Sequence, residues 1–469
     1  MSNPVALTLT ELAAQLQAKK LSPVELMNAV LGRIDATNPT LNAVVAMHPR
    51  EKLLEQARAA EARIARGEGR ALEGIPLGVK DLEDTAGLVT SHGSVPYKDN
   101  LAERDSVQVE RLRGAGAIPV GKTNAPEFGY TAITKNLVFG TTHSPWNPEV
   151  TPGGSSGGSA AALAGLVLPL VTASDGGGST RIPASFVGAF GLKPSYGRIP
   201  HDPSRLWYFG DTAVHGPLTK TVADNALYLD LTCGYDRRDP KSLPHPGFSY
   251  RAKLAEGVPK KLRIAYSPDL GYAVVQSDVA QAVYDAVRVF EKLGHEVVEI
   301  PGGPPKLGEA WGVWGSFEMA AAHLHLLPEH ESEFVRANAA AMKGAWDMKP
   351  EWFSQAAQAR LALSRWAGSV FSEFDLLVTP TVPYDPPPAK GPFPRETEGR
   401  KQLAWGVASF TIPFNLSLHP ACSLRVGISR AGLPIGLQIV AERHRDELVL
   451  QAAQALERER PAHPHWPAV

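Results

Sequence analysis

Residues 152–179 read PGGSSGGSAAALAGLVLPLVTASDGGGS: a Gly/Ser loop from Gly153 to Ser159, an Ala-rich run through Leu166, an apolar run from Leu168 to Ala173, and a second small-residue loop from Asp175 to Ser179. The Ala-rich run has the composition of a buried helix and the apolar run that of a buried strand, so two loops flank one helix–strand unit. Loops this small-sided let backbone N–H groups and hydroxyls approach a reacting atom closely. Read alone, the first loop is equally a helix N-terminus with a capping serine. It also matches G-x-S-x-G at Gly153, Ser155 and Gly157. The strained turn of that motif follows a strand, however, and Pro145, Pro148 and Pro152 bar a central strand from the preceding segment. No Gly-Lys-Ser/Thr follows, which excludes a phosphate loop.

Upstream, Ile75 to Val79 reads as a short buried strand ending at Lys80 and Asp81, Ser106 to Arg113 as a helix, and Ala117 to Val120 as another strand. Strand, helix, strand is the order of an α/β sheet. Thr8 with Glu11 and Ser22 with Glu25 have capping-box spacing and Pro23 sits at a first-turn position, which predicts helices over 8–18 and 22–36. Arg50 to Arg66 reads as a third helix. Downstream, Ser277 to Leu293 is an amphipathic helix feeding a strand from Glu296 to Ile300, and Phe374 to Pro380 is a buried strand. Cys422–Ile428 and Pro434–Val440 form a hairpin turning at Ala431 and Gly432, closed by a helix from Asp446 to Arg458. Residues 201–250 and 301–400 read as irregular and aromatic-rich, as substrate walls commonly are.

With Lys+Arg 47 against Asp+Glu 48 among 469 residues, the charge balance offers no basic face for nucleic acid and no polybasic patch for a membrane. The expected partner is a small molecule. Cys233 and Cys422 cannot build a disulfide framework and fit a reducing compartment. No segment runs eighteen apolar residues, and Met1 to Thr10 lacks a basic residue before its short apolar stretch, so the expectation is a soluble cytoplasmic protein. His323, His325 and His330 are not expected to bind metal, because i,i+2 side chains on a helix diverge and Pro328 interrupts the run. Trp311, Trp314 and Phe317, at helical spacing, read as core, whereas Trp207, Tyr208 and Phe209 read as a loop that could line a pocket.

The second loop offers consecutive unhindered N–H groups beside the Ser179 hydroxyl, as a nucleophile with its own oxyanion hole requires. Asp175 and Arg181 flank it and are expected to hold it by hydrogen bonding. Gly74-Ile75-Pro76-Leu77-Gly78-Val79-Lys80-Asp81, then 152–159, 175–183 and Gly191-Leu192-Lys193-Pro194, resemble the amidase signature family in order and spacing. Phe414-Asn415-Leu416 and the run from Gly432 to Gln438 extend the resemblance over nearly the whole chain.

The resemblance implies one α/β domain over 1–469, a large mixed twisted sheet with helices on both faces. Within it lie a helical N-terminal region (1–66), a signature core (67–200), a variable substrate wall (201–400) and a C-terminal core (401–469). It implies a triad of Lys80, Ser155 preceded by a cis peptide bond, and the nucleophile Ser179. An oxyanion hole would be built from the N–H groups of Gly176, Gly177, Gly178 and Ser179, with Ser156 supporting Ser155. Gly129, Tyr130 and Thr131 fall where the family lines its acyl pocket, and Trp207 is a further substrate-contact candidate. No metal or cofactor is implied. Free lysine titrates near ~10.4, so a neutral Lys80 at pH 7 requires a drop of roughly 3 units, which burial at the end of an apolar strand could supply.

The expected activity is hydrolysis of a small neutral aryl or alkyl amide through an acyl-enzyme on Ser179, with esters or carbamates open to the same chemistry, by a monomer or homodimer. The rival within the family is the glutaminase component of a tRNA-dependent amidotransferase. It is disfavoured by Ile182 and Pro183 after Arg181, where that component has Gln, and by Asp211-Thr212-Ala213-Val214-His215-Gly216-Pro217 in place of its Ser-Leu-Asp-Gln-Ile-Gly-Pro run. A non-catalytic binding protein on the same fold would be expected to lose a triad member, and all three are present. Gly176 stands where the family often has Thr or Ile, Thr180 where it often has Ile, and Arg425 where proline is common.

Overall fold

The computed structural model describes residues 3–201, 211–259, 261–462 and 465–467. In chain order the strands are β1 (Val44–Met47), β2 (Pro76–Lys80), β3 (Ile118–Thr123), β4 (Lys135–Asn136), β5 (Gly140–Thr141), β6 (Leu170–Asp175), β7 (Phe190–Lys193), β8 (Val214–Thr219), β9 (Arg263–Tyr266), β10 (Glu296–Glu299), β11 (Leu376–Pro380), β12 (Glu396–Thr397), β13 (Arg400–Lys401), β14 (Ala421–Ile428) and β15 (Pro434–Ala441). Eleven of them form one mixed sheet in the order β1-β3-β2-β6-β8-β7-β14-β15-β11-β9-β10. β2 is parallel to both β3 and β6, whereas β6–β8–β7–β14–β15 is antiparallel throughout. The other four strands make two short ribbons.

Alternation along the strands builds two buried apolar layers. Leu77, Val79 and Leu170 join one cluster with Leu12, Val222 and Phe290, while Val120, Val171 and Ala173 join another with Val30 and Ala160–Leu163. Gly78 belongs to the second side, since a Cβ there would lie 2.5 Å from Leu168 Cδ1. Lys80, two residues on, therefore projects to the layer that holds the Ala-rich helix Gly157–Ala164. Every residue of that helix is buried, which is why its sequence is apolar or small on all sides.

Both N-terminal capping boxes form, at Thr8/Glu11 and Ser22/Glu25. The second helix runs on to Leu41, past the expected end at 36, because Asn38 accepts from the N–H groups of Ala43 and Val44 and so carries the chain through Pro39 to a left-handed stop at Asn42. The expected strand at 168–173 lies two residues later, ending at Asp175 opposite Val214. Its polar end is buried but satisfied, so the apolar run alone misplaces the register. Two stretches expected to be irregular contain regular elements. β8 and the helix Val222–Thr232 lie within 201–250, and the helices Gly308–His323, Arg336–Trp346 and Pro350–Glu373 lie within 301–400. The helical spacing of Trp311, Trp314 and Phe317 belongs to Gly308–His323, although the side this helix buries carries Gly315, Met319 and His323 and leaves Phe317 exposed.

The C-terminal hairpin β14–β15 has its turn at 429–433, as expected. Arg425, for which the sequence offers no reason, anchors the chain end from β14. Its guanidinium donates to the carbonyls of Ala462 and His465 and lies 5.4 Å from the Trp146 ring centroid.

Candidate active site

β2 delivers Lys80, the loop before the Ala-rich helix delivers Ser155 and Ser156, and the loop after β6 delivers Ser179. Parallel pairing of β2 with β6 brings the strand ends together, at the kind of crevice where α/β sheets bind ligands. Lys80 Nζ lies 2.8 Å from Ser155 Oγ, 2.8 Å from Ser156 Oγ and 3.0 Å from Ser174 Oγ. The Gly154–Ser155 peptide bond is cis. Ser156 donates its Oγ–H to the Ser174 carbonyl and its N–H to the Ser179 carbonyl, tying the two serine loops together. Lys80 is fully buried, and burial lowers its ammonium from 10.5 to about 7, against the opposing pull of Glu83 and Asp175.

Behind the Asp175–Ser179 loop sits a buried ion pair. Burial alone would raise the Asp175 carboxyl, but the Arg181 guanidinium, bidentate at 2.9 Å, holds it well below the usual carboxylate range. Asp175 also accepts from the N–H groups of Gly178 (2.7 Å) and Thr180 (3.2 Å) and from Asn415 Nδ2 (3.0 Å). Arg181 reaches on to Gln438 Oε1 at 2.7 Å and Asn415 Oδ1 at 2.6 Å. The C-terminal half of the chain thus fixes a loop made in its first half.

That network changes the expected oxyanion set. The N–H of Gly178 is committed to Asp175, while among the described residues no protein group accepts from the N–H of Gly176, Gly177 or Ser179. Ser179 itself is half-buried and borders a cavity of about 560 Å³, with Ser155 on its floor. Tyr130, Thr131, Ile182, Trp311, Phe393, Trp405 and Ile412 supply much of its wall, and Glu83, Asp84, Arg104, Asp105 and His215 a polar side. Gly129, at φ +73°, passes so close to the floor that a Cβ there would lie 3.1 Å from Ser155 Oγ. Tyr130 Oη is hydrogen-bonded to Ser316 Oγ at 2.5 Å. Trp207 lies outside the described residues.

Trp311 is not the core residue its spacing predicts. It lines the cavity, and its indole N–H donates to the Gly176 carbonyl at 2.8 Å. Trp314 is partly buried and packs edge-on against Phe353, and Phe317, on the same ring, is exposed and not the core residue expected. His323 stacks on Phe128 at 4.2 Å and is hydrogen-bonded to Tyr97 Oη. Among the described residues no cluster of three potential metal ligands occurs. Sequence reasoning assigns no role to Ser174, Thr411, Asn415 or Gln438. The last two stand in motifs that carry the resemblance, which is the available signal.

A family model described as Amidase matches residues 25–450. A protein named acylamidase from Rhodococcus erythropolis is 36% identical, over 97% of this chain and 96% of its own length. A glutamyl-tRNA(Gln) amidotransferase component from Geobacter sp. (strain M21) is 33% identical over 97% of each. The crystal structure of a bacterial aryl acylamidase of the amidase signature family superposes with a TM-score of 0.92 at 30% identity, covering 98% of both chains. With sequence, sheet and family model in agreement over nearly its full length, the chain belongs to the amidase family, hydrolases that act on carbon–nitrogen bonds.

Proposed function

We propose that this chain hydrolyses small neutral aryl and alkyl acylamides, and related esters or carbamates, through an acyl-enzyme on Ser179. The observation that carries the reading is the contact of a buried, carboxylate-free Lys80 with Ser155 Oγ at 2.8 Å, on the floor of the cavity that Ser179 borders. Neutral Lys80 takes the proton of Ser155 as Ser155 takes that of Ser179, and the Ser179 oxygen adds to the substrate carbonyl. The oxyanion rests on the N–H groups of Gly176, Gly177 and Ser179, where each donor is worth about 10²–10³ in rate. Collapse of the tetrahedral adduct breaks the C–N bond, and the amine leaves with the proton returned through Ser155. Water, deprotonated along the same route, then adds to the ester of Ser179 and releases the acid.

The aromatic and aliphatic wall from Tyr130, Trp311, Phe393 and Trp405 supports an apolar acyl or aryl group, as do the acylamidase relatives. The amidotransferase relatives keep a glutaminase reading as the second hypothesis, against which stand Ile182 and Pro183 after Arg181. Two free cysteines support the cytoplasm as its compartment. No helix among the described residues is long and apolar enough to cross a membrane. A panel of anilides, aliphatic amides, esters, carbamates and glutamine, assayed for amine, alcohol or ammonia release, tests the reading. Anilide turnover is expected, and glutamine turnover alone would replace it with the glutaminase assignment.

A further inference from the structure

We propose that Trp311 is a positioning residue of the oxyanion hole, acting through the Gly176 carbonyl. In a trans peptide the C=O and the following N–H point in opposite directions, so fixing one oxygen aims one donor. Two successive carbonyls of the nucleophile loop are fixed by side chains from elsewhere in the chain. Trp311 Nε1–H donates to Gly176 O at 2.8 Å, and Thr411 Oγ1–H donates to Gly177 O at 2.7 Å. The second peptide presents its N–H, that of Gly178, to Asp175. The first presents the N–H of Gly177, which no protein group accepts among the described residues. The direction of that donor is therefore set by one indole.

The indole also occupies the space a side chain at 177 would fill. A Cβ there would lie 2.7 Å from Trp311 Cζ2 and 2.8 Å from Cε2. On its other side the ring stacks against Tyr130, with centroids 6.1 Å apart and 27° between planes. Trp311 lies in the first turn of the helix Gly308–His323, whose Ser316 holds Tyr130 Oη and whose His323 stacks on Phe128. One helix of the variable region thus touches the nucleophile loop and the segment at 128–130 together.

This inference rests on Ser179 being the nucleophile, and the test separates the two. Trp311→Phe keeps a ring against Gly177 and removes the donor. Replacing Trp311 by 3-benzothienylalanine keeps the indole shape and removes only the N–H, which covers the case where the Phe variant does not fold. Each is compared with wild type for kcat and KM on an anilide, for inhibition by phenylboronic acid, which forms a tetrahedral adduct on a serine oxygen, and for inhibition by planar benzoate. Loss of one aimed donor should lower kcat by about 10- to 100-fold and weaken the boronate by a similar factor in both variants, while the shape-preserving benzothienylalanine variant leaves KM and benzoate inhibition within about twofold. An unchanged kcat, or a loss shared equally by KM and benzoate, would overturn the positioning role and leave Trp311 a pocket wall. Full activity in Ser179→Ala would instead remove the nucleophile assignment itself.

Discussion

Lys80 Nζ lies 2.8 Å from Ser155 Oγ and makes no ion pair with any carboxylate among the described residues. A buried lysine held only by hydroxyls and a carbonyl is the setting in which the neutral amine is favoured, so its chemistry and its cost to the fold share one origin.

The first consequence is an acid limb. With burial bringing Lys80 down to about 7, and the proposed mechanism using it as base only when neutral, kcat/KM should rise as pH increases through about 7 and level off above it. Burial raises the Glu83 carboxyl, and in its ionised form it holds the Lys80 ammonium up, so Glu83→Gln should move the limb to lower pH. A pH–rate profile of both proteins checks the sign.

The same group makes stability pH-dependent. Its folded value of about 7 is below the unfolded value near 10.4, so burying Lys80 costs most where both states are protonated, below pH 7, and the cost fades as pH rises towards the unfolded value. Lys80→Met should therefore be inactive, and should gain more stability over wild type at pH 6 than at pH 9. Urea denaturation at the two pH values measures the difference.

Breaking the Asp175–Arg181 pair should act on stability and rate together. Asp175→Asn leaves a fully buried guanidinium without its counter-charge, and removal of one partner of such a pair costs about 3–5 kcal/mol. The loosened loop should also lower kcat. Denaturant midpoints and anilide kinetics of one preparation provide both readouts.

Arg425→Ala should separate fold from function. It removes two charge-assisted hydrogen bonds to the carbonyls of Ala462 and His465, and a loss of about 2 kcal/mol with kcat unchanged is expected. Thermal melting together with the standard assay tests it.

What could be read in the sequence follows from the range of the interactions concerned. The serine loops, the lysine at a strand end and the capping boxes announce themselves within a few residues, because glycine, serine and apolar runs report local backbone demands. Trp311 could not be assigned in this way. Its partner Gly176 is 135 residues away, and spacing alone makes any tryptophan on a helix look like core. Asn415 and Gln438 likewise act on Asp175 and Arg181 across more than 230 residues. The slip in β6 has a different cause. Ser174 and Asp175 are polar yet buried, satisfied by Lys80 and Arg181, so an apolar-run criterion ends the strand two residues early.

The central claim is a covalent intermediate on Ser179, and its most direct test is to catch one. Wild-type protein mixed with an activated aryl ester, quenched in acid within the first turnovers and mapped by peptide mass spectrometry, should carry the acyl mass on the peptide containing Ser179, with no adduct in Ser179→Ala and little in Lys80→Ala. An acyl group on another residue, or undiminished turnover by Ser179→Ala, would contradict the account.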